Sequence, residues 1–207
     1  MFPQLTTAEK ISLISATAAA TGTVIALFAA LFATFRARRA NLISSEALEL
    51  AKRALSISVK SQRSDDCLVL SPVGSDQEIN NLVIYFPRKL KLEPVALTAG
   101  NFKLLDVRIS PALREYWDSR TPESPGTASV RSNVPVPAVI SVHGHAKGVA
   151  TVTLGIYDLY VQYVRSEGHS WLQVQALTLN NYALHDDDPQ KLADSLLEQL
   201  EAATLGV

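Results

Sequence analysis

His143 and His145 stand two residues apart, and side chains two apart on a strand project from one face. Two imidazoles so placed can chelate zinc, with His169, His185 or a carboxylate of Asp186–Asp188 as a third ligand. The pair is followed by Ala146, Lys147, Gly148 and Val149, and a cation at that point opposes a divalent metal. Exposed histidines are also common where a hairpin turns. The sequence therefore assigns no metal and no other cofactor.

Cys67 is the one cysteine in 207 residues, which excludes an intramolecular disulfide and a thiolate zinc cluster within one chain. It follows Asp65 and Asp66, and adjacent negative charge works against the thiolate that a nucleophile needs. No GxSxG, P-loop, GxGxxG or HExxH pattern occurs. The expectation is that the chain is not an enzyme. Tyr157, Tyr160 and Tyr163 could stack on bases, but residues 64–207 carry a net charge of −6, which repels phosphate. Nucleic acid is not an expected partner.

The elements that carry these residues begin with a greasy segment. Residues 11–35 run for 25 positions without a charge, and ten of them are Ile, Leu, Val or Phe. At about 1.5 Å per residue this is long enough for a hydrocarbon core of roughly 30 Å. The run is too long for a signal-peptide core, its leader MFPQLTTAEK is charge-balanced, and arginines follow it. An uncleaved transmembrane helix is predicted over 11–35, behind a short exposed terminus at 1–10.

Arg36, Arg38 and Arg39 flank the far end, against Lys10 beside Glu9 at the near end. The excess of positive charge predicts that the amino terminus lies outside and the carboxyl-terminal domain in the cytoplasm. The same arginines are placed to meet anionic lipid headgroups. Ser15, Ala19, Gly22, Ala26, Ala29 and Ala33 fall three or four apart and so share one helix face. Small residues at that spacing allow close approach of a second transmembrane helix.

Residues 36–63 hold seven basic residues against Glu46 and Glu49, a net +5. Ser44 or Ser45 can cap a helix running to about Lys60, so 36–63 is predicted as a basic juxtamembrane helix. Beyond Cys67 the apolar period shortens to two. Short strands are predicted at Cys67–Leu70, Leu82–Phe86, Val95–Thr98 and Phe102–Ile109, then a helical turn with Pro111 at its first position. Residues 119–137 are rich in Pro, Ser and Gly and read as a mobile surface loop or an extended arm ordered on a partner.

Hairpins follow. Ala138–His145 and Val149–Ile156 flank Ala146-Lys147-Gly148, and Tyr157–Val164 and Ser170–Leu179 flank a turn at 165–169. Gly155 is expected to mark a bend or bulge between two strands. A terminal helix over 188–204 is signalled by Asp188 as cap and Pro189 behind it, with Leu192, Leu196 and Leu200 as its apolar stripe. Residues 186–207 carry −5.

The predicted class is α+β: one transmembrane helix, then a mainly antiparallel sheet domain over 64–207 closed by an amphipathic helix. The expected function is that of a single-pass accessory or assembly subunit of a larger membrane complex. Its partners are the lipid bilayer and other membrane-protein subunits. The alternative is a membrane-tethered domain that binds a ligand or lipid.

Overall fold

A computed structural model describes residues 6–121, 128–166, 169–183 and 187–205, with part of the side chains in the first helix outside that description. The chain divides into two compact units, Met1–Ala54 and Leu55–Val207.

The first unit is one helix, α1, from Thr7 to Leu55. At 49 residues it is roughly 73 Å long. No break separates 11–35 from the basic segment, and the helix stops at Leu55, short of the predicted Lys60. The reason lies in the sequence Ser56-Ile57-Ser58-Val59, where polar and β-branched residues alternate. Ile57 and Val59 are buried and Lys60 is exposed, so a period of two replaces the helical one. Residues 59–63, placed in the predicted helical segment, belong instead to strand β1, Val59–Ser64.

The second unit is α+β, with mainly antiparallel sheets and a carboxyl-terminal helix. A three-stranded sheet has the order β1-β2-β5, with β2 at Cys67–Pro72 and β5 at Lys103–Leu105. A five-stranded sheet has the order β4-β3-β6-β7-β8. Its strands are β3 Gln77–Tyr85, β4 Val95–Thr98, β6 Ser129–Ala146, β7 Val149–Ser166 and β8 His169–Tyr182. Helix α2 spans Asp106–Asp118 and α3 spans Pro189–Leu205.

One face of the large sheet meets the small sheet and α2. Leu68 and Leu70, Leu82 and Ile84, Ile140 and Val142, Tyr157, Leu159 and Val161, and Ile109 and Leu113 fill the space between them. The start of β1 and the residues leading into it are stitched to this face by main-chain donors: Ile57 N–H to Thr153 Oγ1 at 2.9 Å and Val59 N–H to Tyr157 OH at 3.0 Å. On the opposite face Val139 and Leu154 meet Ala193, Leu192 and Leu196 of α3.

Strands β6 and β7 form a hairpin of two 18-residue strands. The pairing Ala146↔Val149 leaves a two-residue turn, and Lys147 and Gly148 take φ +52 and +75. Two successive left-handed residues match the twist of the strands they join. The second and third predicted strands are therefore one continuous strand, and Gly155 lies within it. A Cβ at Gly155 would sit 2.6 Å from the Tyr157 ring, so the glycine makes room for a buried aromatic. The register between β7 and β8 shifts at Ile156/Tyr157, so the expected irregularity lies beside Gly155, within one strand and not between two.

Two further expectations are revised. Phe102–Ile109 is strand only over β5, because Ile109, Leu113 and Tyr116 recur at helical spacing and are all buried. Helix α2 therefore starts at Asp106, and Pro111 lies inside it. Of the predicted loop at 119–137, residues 122–127 lie outside the described ones, while Ser129–Pro137 is the first half of β6. Pro135 and Pro137 are tolerated there because β3 pairs with β6 only from Val139 onward. Among the described residues no strand pairs with β6 on that side at Pro135 and Pro137, and an edge tolerates a residue without an N–H.

Candidate functional site

The stripe Ser15, Ala19, Gly22, Ala26, Ala29 and Ala33 lies on the unbroken helix α1. Among the described side chains Ser15, Ala26 and Ala33 are exposed, as are Arg36, Arg38 and Arg39. The Arg36 guanidinium stands 4.7 Å over the Phe32 ring. A large apolar surface accompanies the stripe: Leu27, Phe28, Leu31, Phe32 and Phe35 are exposed, and so are Leu42, Ile43, Leu48 and Leu50 beyond the arginines. Among the described residues no helix is long and apolar enough to cross a membrane.

The continuity of α1 reveals a pattern that local reading missed. Alanine occupies every seventh position from Ala19 through Ala26, Ala33, Ala40 and Ala47 to Ala54. Midway between them stand Thr23, Ala30, Ala37, Ser44 and Ala51, so small residues repeat at a mean spacing of 3.5 across the arginine collar. A straight helix drifts about 20° per heptad against such a repeat, and only a gentle left-handed supercoil keeps it on one side. The signal was in the sequence. It is invisible when the segments before and after Arg36 are treated as separate helices.

His143 and His145 do share a face of β6, the face opposite the small sheet. His143 is exposed and its Nε2 lies 3.3 Å from Ser141 Oγ. The paired neighbours are Val152 and Ala150 on β7 and, on the other side, Asn81 and Glu78 on β3, so one carboxylate stands beside His145. Among the described residues no group of three His, Cys, Asp or Glu side chains is placed to hold an ion. Two of the alternative ligands, His185 and Asp186, lie outside the described residues. Cys67 is buried.

The three tyrosines separate. Tyr157 and Tyr163, six apart, are fully buried on the core face, while Tyr160 is half-buried on the opposite face. Burial, and then the hydrogen bond to Asp118, push the Tyr163 hydroxyl up to about 12, so it remains a donor at neutral pH. Tyr163 and Ser170 hold the two Asp118 oxygens at 2.5 and 3.0 Å. These contacts tie the end of α2 to the sheet.

The acidic terminal helix is partly committed within the domain. Asp188 Oδ1 accepts from the N–H groups of Gln190 and Lys191, which is the cap expected of it. Asp194 accepts from the Arg88 N–H at 2.7 Å. Glu201 gathers Lys89 at 2.5 Å, Tyr116 at 2.7 Å and Arg120 at 2.9 Å. Burial alone would raise the Glu201 carboxyl, but the bonds from Lys89 and Tyr116 and the nearby cations outweigh it and hold the group below its ordinary value. A carboxyl held low stabilises the fold above its unfolded-state pKa, and that contribution disappears as pH falls through the folded-state value. Glu201→Gln should therefore lower the denaturation midpoint at neutral pH, with the gap from the parent closing on acidification below about pH 4. Parallel pH–stability curves would show that Glu201 has no such role.

A second concentration of polar groups lies at the junction of β1, α2 and β8. Arg63 and Asp106 form a two-point ion pair, Nη1 to Oδ1 at 2.8 Å and Nη2 to Oδ2 at 2.7 Å. That bond is the main reason the guanidinium's pKa is raised. The pair forms one wall of an open cleft of about 420 Å³, which Ser110, Trp171 and Gln173 also line. The two partners are 43 residues apart in the chain, and neither was singled out from sequence.

Comparison with protein-family models, with curated proteins and with solved structures finds no match.

Proposed function

We propose that the chain is a single-pass subunit of a larger membrane assembly, with 11–35 in the bilayer, the arginine collar on the inner side, and the sheet domain in the cytoplasm making contacts with other subunits. The observation that carries this reading is the uncharged run of 25 residues joined, without interruption of the helix, to a small-residue seam that continues past the arginines. An anchor that only faced lipid has no need for a strict 3.5-residue repeat, whereas a helix packed along a second helix does. The exposed Leu42, Ile43, Leu48 and Leu50 add to the argument, because they lie beyond Arg39 where acyl chains would not cover them.

The alternative, a lipid or ligand held inside the domain, has less to support it. The space between the two sheets is occupied by fully buried side chains, among them Phe86, Leu104, Tyr157 and Tyr163. Contacts with other molecules then fall to the outer surfaces of the domain and to α1.

The test is the native mass of the full chain extracted from membranes in mild detergent. A stable species well above the 22.4 kDa chain in its micelle is expected. A homogeneous monomer would remove the assembly role.

A further inference from the structure

The two sides of α1 respond differently to the arginine collar. Away from the small-residue repeat, the uncharged run carries Phe28, Leu31, Phe32 and Phe35, all exposed. Beyond the run, the same positions of the repeat hold Arg38, Arg39, Glu46, Glu49, Lys52 and Arg53, with Leu42 and Ser45 as the uncharged exceptions. That change follows the medium, from hydrocarbon to water. The repeat itself does not change. Ala26, Ala30 and Ala33 before the collar are continued by Ala40, Ser44 and Ala47 after it, all exposed on the single chain. A face with the same chemistry in both media is suited to protein, which offers the same contact on either side of the membrane surface.

The flanks of the repeat narrow the occupant. Beyond the collar Ile43 and Leu50 border it on one side and Leu48 on the other, and they are 59%, 67% and 57% exposed. In paired helices the flanking positions ordinarily carry the charges that select a different partner. Between Ala40 and Ala54 they carry none, because Glu46, Glu49, Lys52 and Arg53 all fall elsewhere in the repeat. In a parallel pair each flank of one helix meets the opposite flank of its neighbour. Two identical helices in register therefore set Ile43 against Leu48, and set Arg36, the one flanking charge, against the uncharged Asn41. No like charges are opposed. Insertion supplies direction and register together, since a second copy enters the bilayer the same way and places its arginines at the same depth. A partner of another sequence would need an equally long helix with a matching repeat on both sides of the membrane surface.

We propose that α1 pairs with α1 of a second copy of this chain, parallel and in register, along the repeat from Ala26 to Ala54. The small side chains let the two axes approach to about 8 Å under a gentle left-handed supercoil. Ile43, Leu48 and Leu50 close over the seam on its water-facing half. The pairing deepens the assembly reading and rests on it, since it names a second copy of the chain as one partner within the complex.

The test is disulfide formation between single cysteines in the full chain in its own membranes, on a Cys67→Ser background. Ala40→Cys, Ser44→Cys, Ala47→Cys and Ala51→Cys are compared with Leu42→Cys, Ser45→Cys and Glu46→Cys under copper–phenanthroline oxidation. A disulfide needs Cβ atoms about 3.5–4.5 Å apart, so identical residues link only where parallel helices bring the same position together. Covalent dimer is expected on the seam, with about tenfold less at the comparison positions. Ile43→Glu with Leu48→Glu should lower linking through Ala47→Cys about tenfold, and Ile43→Lys with Leu48→Glu should restore it, because the facing flanks then carry opposite charges. These residues are exposed on the chain, and an unchanged melting midpoint checks that each variant folds. Equal linking around the helix, no linking on the seam, or equal linking by the two charge pairs would overturn the pairing. Native sizing keeps the readings apart: a large assembly without seam disulfides removes the second copy and leaves the assembly role, whereas a monomer removes both.

Discussion

A Val24→Lys, Leu27→Lys variant should leave the membrane fraction in alkaline carbonate, while the parent chain stays with it. Ten Ile, Leu, Val and Phe residues in 11–35 favour insertion by about 0.3–0.6 kcal/mol each, a total of only a few kcal/mol. Each lysine near the middle of the span costs about 2.5–3.5 kcal/mol and also removes one favourable residue. Two together reverse the sign of insertion. The margin is thin because so much of the run is Ala, Ser, Thr and Gly. That composition is what the proposed small-residue seam would demand, at the expense of lipid affinity. If the variant were as resistant to carbonate as the parent, 11–35 would not be the segment that holds the chain in the bilayer.

Gly144→Ala is the second large effect. A Cβ at this position of β6 would lie 1.9 Å from the Glu78 carbonyl oxygen of β3 and 2.9 Å from Ile57 Cδ1. The obstacle is main chain, which cannot rotate away as a side chain would. The pairing of β3 with β6 is already irregular between Ile79 and Asn81, so the strands approach where the ladder is least able to adjust. A loss of about 3 kcal/mol is expected in denaturant midpoints of the full chain. Gly148→Ala is the matching control. Its Cβ would meet nothing within 4 Å, and only its φ of +75 is strained, so about 1 kcal/mol is expected. Equal losses at both positions would mean that the close approach at Gly144 does not exist.

What was legible in the sequence was local chemistry. Asp188 and Pro189 open α3 as their types require, and a left-handed Gly148 closes the long hairpin, although the turn is Lys147-Gly148 and the expected third loop residue, Ala146, is paired in β6. The apolar period of two marked the strands beyond Cys67, and the two-residue spacing placed His143 and His145 on one face of β6. What stayed hidden depends on neighbours far along the chain. Pro135 and Pro137 read as loop because their place in a strand depends on where β3 ends. Val59 read as the end of a helical stripe until Tyr157, 98 residues away, accepted its N–H. The cleft was out of reach for the same reason, since Arg63, Ser110 and Trp171 meet only through the fold. The seam on α1 was different: its repeat was present throughout, hidden because 11–35 and 36–63 read as two helices where there is one.

The most direct test is the accessibility of single cysteines placed on either side of the uncharged run, Thr6→Cys and Asn41→Cys, each with the buried Cys67 replaced by Ser. Both chosen positions are exposed on the chain itself, so a difference in labelling reports the bilayer and not the fold. In intact cells a membrane-impermeant maleimide should label the Thr6→Cys protein at once and the Asn41→Cys protein only after permeabilisation. Labelling of both from the same side would contradict a helix that crosses the membrane with its arginines inward.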